Sequence, residues 1–239
     1  MTTETSTRMS LVAHLTELRR RLTVCLVAVA AGAVIVYVFF GDLLRFISTP
    51  YRAIDPTTKL IATGVADQFL LRLTVATYGG IIIAMPVILW ELWRFITPGL
   101  NPKEKRYSIP FLLSSVVLFT AGAAVGWFTL EPALKFLYGA GGGEIQQLNT
   151  AKNYVNFVVL IFLAFGLSFE FPIVLMFLLI ARVVSTAQLR KGRRLAIVLI
   201  AVFAAVITPS QDPYSLLFMA APMYLFFEST IVIGRIMKR

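Results

Sequence analysis

Acidic residues are scarce in this chain, twelve in all, and a few of them stand where a carboxylate has specific chemistry to do. In "FGLSFEFPIVL", residues 165–175, Glu170 is set among Phe, Leu, Ile and Val with Pro172 two positions on. The surrounding apolar run, Asn153–Ala181, is 29 residues long. A charge at mid-bilayer costs about 2.5–3.5 kcal/mol on insertion scales, so an acid kept there is a functional candidate by default. The alternative is a buried polar tie, protonated and hydrogen-bonded to a neighbouring helix.

Glu17 belongs to "SLVAHLTELRRRL", residues 10–22. Leu11, Leu15, Leu18 and Leu22 recur at helical spacing, which predicts an amphipathic helix with Glu17 on its polar side. There Glu17 either pairs with Arg20 or Arg21 one turn away or is open to a ligand. His14 is expected to be an exposed partner on the same helix. Glu104 lies in "FITPGLNPKEKR", residues 95–106, where Asn101, Pro102 and Glu104 have the spacing of a helix cap with its reciprocal acid. Asp212 before Pro213 is a natural cap for a following helix. Glu228 falls near the end of the last apolar segment, within reach of a snorkelling Arg235.

These groups must be positioned by membrane helices. Hydrophobic residues make up 58% of the chain and charged residues 14%, with a mean hydropathy of +0.82. A soluble domain carries about 25% charge. Six apolar segments follow in order: Leu22–Phe40, Leu73–Trp90, Tyr107–Leu130, Asn153–Ala181, Leu195–Thr208 and Tyr214–Phe227. A bilayer core of about 30 Å takes roughly 20 helical residues. The last two segments, 14 residues each, are therefore expected to be short spans. The fourth is long and expected to tilt or to bend at Pro172. The first is expected to remain as a span, since it is long for a leader's apolar region and no small-x-small site follows it.

The fold expected is thus all-α, a single transmembrane bundle over residues 1–239 with six helices enclosing a concavity. Residues 1–21 form its amphipathic N-terminal segment, and 41–72 and 131–152 its two sizeable loops on the opposite side. Sixteen of the 22 Lys and Arg fall in the N-terminal segment, the second and fourth connections and the C-terminus. The other six are Arg45, Arg52, Lys59, Arg72, Lys135 and Lys152. This asymmetry predicts that both termini face the cytoplasm. The net charge of +10 then reports topology, not nucleic-acid binding.

Enzyme and metal chemistry find no template. One histidine and one cysteine do not make a multi-ligand zinc site, and Cys25 cannot form a disulfide within the chain. No H-E-x-x-H, G-x-S-x-G or P-loop occurs. No cofactor is expected.

Taken in order on a six-span frame, "HLTELRRRL", "STPY", "MPVILWELWRFITPGLNPKEKR", "FGLSFEFP", "ITPSQDP" and "APMYLFFE" resemble the TatC family, the multi-span receptors of the twin-arginine protein translocase. The resemblance runs from about Met9 to Arg239. It implies binding of signal peptides with consecutive arginines and a part in moving folded proteins across the cell membrane. Glu17 and Glu104 would receive the arginines, with Arg19, Phe95, Pro98, Leu100 and Arg106 near that site. Glu170 and Thr208 would be intramembrane polar contacts to a partner, and Pro50, Asp212 and Glu228 structural or coupling positions. The implied partners are single-span TatA and TatB proteins docking near the fifth and sixth spans, and further copies of the chain in a homo-oligomeric assembly. A proton-coupled small-solute transporter using Glu170 is the alternative. It lacks the internal repeat usual in such proteins.

Overall fold

The computed structural model describes residues 11–54, 60–96, 108–139, 150–209 and 212–237. They form ten α-helices: α1 (Leu11–Val38), α2 (Phe40–Ile47), α3 (Thr49–Ile54), α4 (Asp67–Ile96), α5 (Ser108–Gly139), α6 (Ala151–Ser168), α7 (Phe171–Ile180), α8 (Thr186–Lys191), α9 (Arg193–Ile207) and α10 (Pro213–Ile236). Among the described residues the only β pairing is an isolated parallel bridge between Ile61 and Thr150. It ties the connection before α4 to the one before α6, and Ala151 N–H donates to the Ile61 carbonyl at 2.9 Å.

Among the described residues five stretches are long and apolar enough to cross a membrane: His14–Val38, Asp67–Ile96, Ser108–Gly139, Ala151–Ile180 and Pro213–Ile236. The fifth apolar segment of the sequence becomes α9, 15 residues, a rise of about 22 Å. That helix is short, as its apolar length predicts. The sixth is not: α10 has 24 residues. Its uncharged stretch ends at Glu228, but a charge does not end a helix when it is neutralised, and Arg193 meets Glu228 with 2.6 Å between Nη2 and Oε2.

The long fourth segment divides at Phe169 and Glu170 into α6 and α7. Pro172 has no N–H to return to the Ser168 carbonyl, so one helical bond is lost. The backbone tightens there, and Glu170 N–H donates to Leu167 O at 3.1 Å. Segments read as outer loops also hold helix. The stretch after α1 folds into α2 and α3, α4 begins at Asp67, and α5 continues to Gly139.

The core is centred on α6. Val155, Val158, Ile161 and Phe165 are fully enclosed there, against Val75 of α4, Leu130 of α5 and Met219 and Met223 of α10. A second cluster joins Met85, Leu89 and Trp93 of α4 to Phe111 and Phe119 of α5 and Ile173 of α7. Helices approach closely where side chains vanish, as membrane interfaces favour. A Cβ on Gly80 would lie 2.6 Å from the Ala33 backbone nitrogen of α1, and one on Gly122 would lie 2.5 Å from the Phe165 carbonyl oxygen of α6. At the far end of α1, Arg72 of α4 stacks on the Tyr37 ring at 4.0 Å and donates to the Tyr37 carbonyl at 2.9 Å. A cation there answers the unsatisfied carbonyls of a helix C-terminus.

Candidate functional site

Two carboxylate centres stand out. The first lies where the start of α1 meets the end of α4. Glu17 and Arg21 are one helical turn apart on α1, so they share a face. Arg21 Nε donates to Glu17 Oε1 at 3.0 Å, and Nη2 donates to the same oxygen. Its other terminal nitrogen, Nη1, reaches across to Glu91 Oε2 on α4 at 2.9 Å. The three side chains are 16%, 19% and 11% exposed for Arg21, Glu17 and Glu91, which places the cluster at a desolvated boundary where charge-assisted bonds are strong. Glu17 Oε2 is buried and has no hydrogen-bond partner among the described residues.

A cavity of about 650 Å³ opens on this cluster, completed by Thr16, Arg20 and Val24 of α1 and Arg94 of α4. His14 stacks on half-buried Phe95, with ring centroids 4.5 Å apart and planes 24° apart, which closes the two helix ends together. Arg19 is exposed on α1. Pro98, Leu100, Glu104 and Arg106 lie outside the described residues. Chemically, the cavity is lined by two carboxylates, Glu17 and Glu91, and by the guanidiniums of Arg20, Arg21 and Arg94, with Arg21 already paired to both acids.

The second centre is at the α6–α7 break. Glu170 is half-buried there. Trp93 Nε1 donates to Ser115 Oγ at 3.2 Å, and the Ser115 hydroxyl faces the Glu170 carboxylate as a donor. Glu170 Oε1 is buried without a hydrogen-bond partner among the described residues. No arginine or lysine pairs with Glu170 among the ion pairs of the described residues.

The other predicted positions resolve into local structure. Thr208 caps the end of α9, is 1% exposed, and donates to the Ala204 carbonyl at 2.6 Å, with Met219 Sδ 3.9 Å away. Expected to meet a partner, it is enclosed by α9 and α10 in this chain. Asp212 caps α10 as predicted, accepting from Ser215 N–H at 2.8 Å. Glu228 pairs with Arg193, not with Arg235, and also accepts from the Tyr224 hydroxyl at 3.1 Å. The pairing follows from α9 beginning at Arg193 alongside α10. Pro50 is buried in the first turn of α3, where proline costs no helical bond. Next to it Tyr51 packs on Tyr154, whose hydroxyl donates to the Ile47 carbonyl at 2.7 Å.

The arrangement is matched by known proteins. The family model for the Sec-independent protein translocase protein TatC matches residues 13–222. The chain belongs to the TatC family. A TatC of Frankia casuarinae is 38% identical over 95% of this chain and 66% of its own length. The Aquifex aeolicus TatC is 36% identical and is covered over 97% of both chains. The crystal structure described as the twin arginine translocase receptor TatC superposes with a TM-score of 0.78 at 36% identity, covering 95% of this chain and all of that one.

Within this TatC-family chain, Glu91 is the site residue that sequence reasoning missed. It stands one position past the apolar segment Leu73–Trp90 and reads as the start of a loop. The usable signal was its place in "WELWRF", flanked by aromatic residues that continue a helix to Ile96.

Proposed function

We propose that this chain is the signal-peptide receptor and organising membrane subunit of a twin-arginine translocase, exporting folded proteins across the cell membrane. Both termini face the cytoplasm in this reading, on the strength of the Lys and Arg asymmetry. The observation that carries it is Glu17: a half-buried carboxylate lining a cavity, with one buried oxygen that has no hydrogen-bond partner among the described residues. A guanidinium presents a planar fork that a carboxylate matches, and partial desolvation strengthens the pair. Glu104 supplies the second carboxylate, so that two separated acids read two consecutive arginines. Arg20 and Arg94 beside the cavity repel cations at long range. Recognition is therefore short-range, and the peptide's apolar stretch adds affinity along the bundle.

Glu170 serves a different ligand. Its unpaired oxygen at the α6–α7 break suits a hydrogen-bond donor from a partner's membrane helix. We assign that donor to the single-span TatA and TatB proteins, which dock near α9 and α10 in an assembly holding several copies of this chain. The test is crosslinking of a twin-arginine precursor in membrane vesicles. Glu104→Lys and Glu17→Lys are each expected to abolish it. Crosslinking at the wild-type level in both would end this reading.

A further inference from the structure

Arg21 already occupies the carboxylate assigned to the peptide. Three of its bonds engage acids: Nε and Nη2 hold Glu17 Oε1, and Nη1 holds Glu91 Oε2 at 2.9 Å. Glu17 Oε2 is buried and has no partner among the described residues, so an arriving guanidinium reaches it only by displacing what covers it. To grip Glu17 through both oxygens, as a fork prefers, it must also take Oε1 from Arg21. Arg21 is 16% exposed and has no room to leave its charge unpaired, since an uncompensated guanidinium at such a site is costly. Glu91 lies on the opposite helix and already holds one end of it.

We propose that Arg21 is a built-in occupant of the signal-peptide site and that Glu91 is the positioning residue that receives it. On binding, Arg21 swings off Glu17 onto Glu91, and the peptide's arginine takes its place. The exchange leaves none of these charges unpaired. It also sharpens selectivity, because a ligand must outcompete an arginine. A lysine, a point charge without the fork, does so poorly. The inference rests on the reading of Glu17 as an arginine receptor, and its test separates the two.

The test uses the full chain in membrane vesicles and a fluorescent synthetic signal peptide with two consecutive arginines before its apolar stretch. Glu91→Gln leaves Arg21 with Glu17 alone and is expected to weaken binding about tenfold, the effect of one charge-assisted bond. Arg21→Gln removes the competitor and is expected to tighten binding by about the same factor. The double variant R21Q/E91Q is expected to bind at least as tightly as the wild type. Unchanged binding in E91Q overturns the proposal, as does unchanged or weaker binding in R21Q. A double variant as weak as E91Q overturns it as well, because Glu91 would then act by some route other than Arg21. Should R21Q fail to accumulate in the membrane, Arg21→Lys keeps the charge but loosens the grip. It is expected to tighten binding about threefold, and no tightening counts against the exchange. The underlying reading has its own control. If Glu17→Gln binds the peptide like the wild type, Glu17 is not the receptor, whatever Glu91 and Arg21 do.

Discussion

The Glu17 centre and the Glu170 centre hold the same functional group in different company: each carboxylate has one buried oxygen without a partner among the described residues, but of the two only Glu17 is paired there to a cation. At the α1–α4 end, two carboxylates share one resident arginine, and the cluster sits at the edge of the apolar segments. At the α6–α7 break, one carboxylate sits inside a 30-residue span with a serine and a tryptophan behind it and no cation paired to it among the described residues. In the function proposed here, the first exchanges one guanidinium for another, and the second offers an acceptor oxygen to a partner's helix. On that reading one fold separates a charge-reading site from a hydrogen-bonding site by placing one at the edge of the apolar segments and the other within a span.

The comparison breaks most visibly if a positive charge is put at position 17. Glu17→Lys faces Arg21 and Arg20 with a like charge and is expected to lower twin-arginine peptide affinity by at least about a hundredfold. Peptide titration of vesicles reads this directly. Docking of the single-span partners through Glu170 is expected to persist. The converse change, Glu170→Leu, removes the acceptor. It is expected to abolish export and partner crosslinking while peptide affinity stays within about twofold of the wild type. Loss of peptide binding in E170L would show that the two centres are one.

Packing should fail differently from either. Gly80→Ala puts a methyl 2.6 Å from the Ala33 backbone, which cannot give way as a side chain does. We expect about 1–3 kcal/mol of lost stability, seen as a lower melting temperature in detergent, with α1 and α4 loosened together. Because the Glu17 centre spans those two helices and the Glu170 centre does not, peptide binding should weaken more than partner docking. The smallest effect belongs to the Arg193–Glu228 pair, whose side chains are 44% and 28% exposed. Glu228→Gln is expected to cost about 1 kcal/mol or less, since solvent screens such a pair. A double-mutant cycle with Arg193→Gln measures the coupling.

Much of this was legible from residue pattern. Apolar length gave the helices and their order. Proline gave the bend at Glu170, because a missing N–H is a local fact that needs no tertiary information. Asp212 as a cap is equally local. What failed to show was pairing across helices. Glu91 and Arg21 are seventy positions apart, and nothing in either neighbourhood names the other. Glu228 met Arg193 instead of the nearer Arg235 for the same reason. The length of α10 was underestimated because only its uncharged stretch was counted as span, although the apolar "STIVIG" carries the segment past Glu228. Thr208 looked available from its motif, but its hydroxyl turns back on its own helix.

The most direct measurement is photocrosslinking from positions 17 and 170 of the full chain in membrane vesicles, with a twin-arginine precursor and the single-span partners both present. The account predicts that position 17 captures the precursor around its arginines and position 170 captures a partner's membrane helix. Capture of the arginines from position 170, with none from position 17, would contradict it.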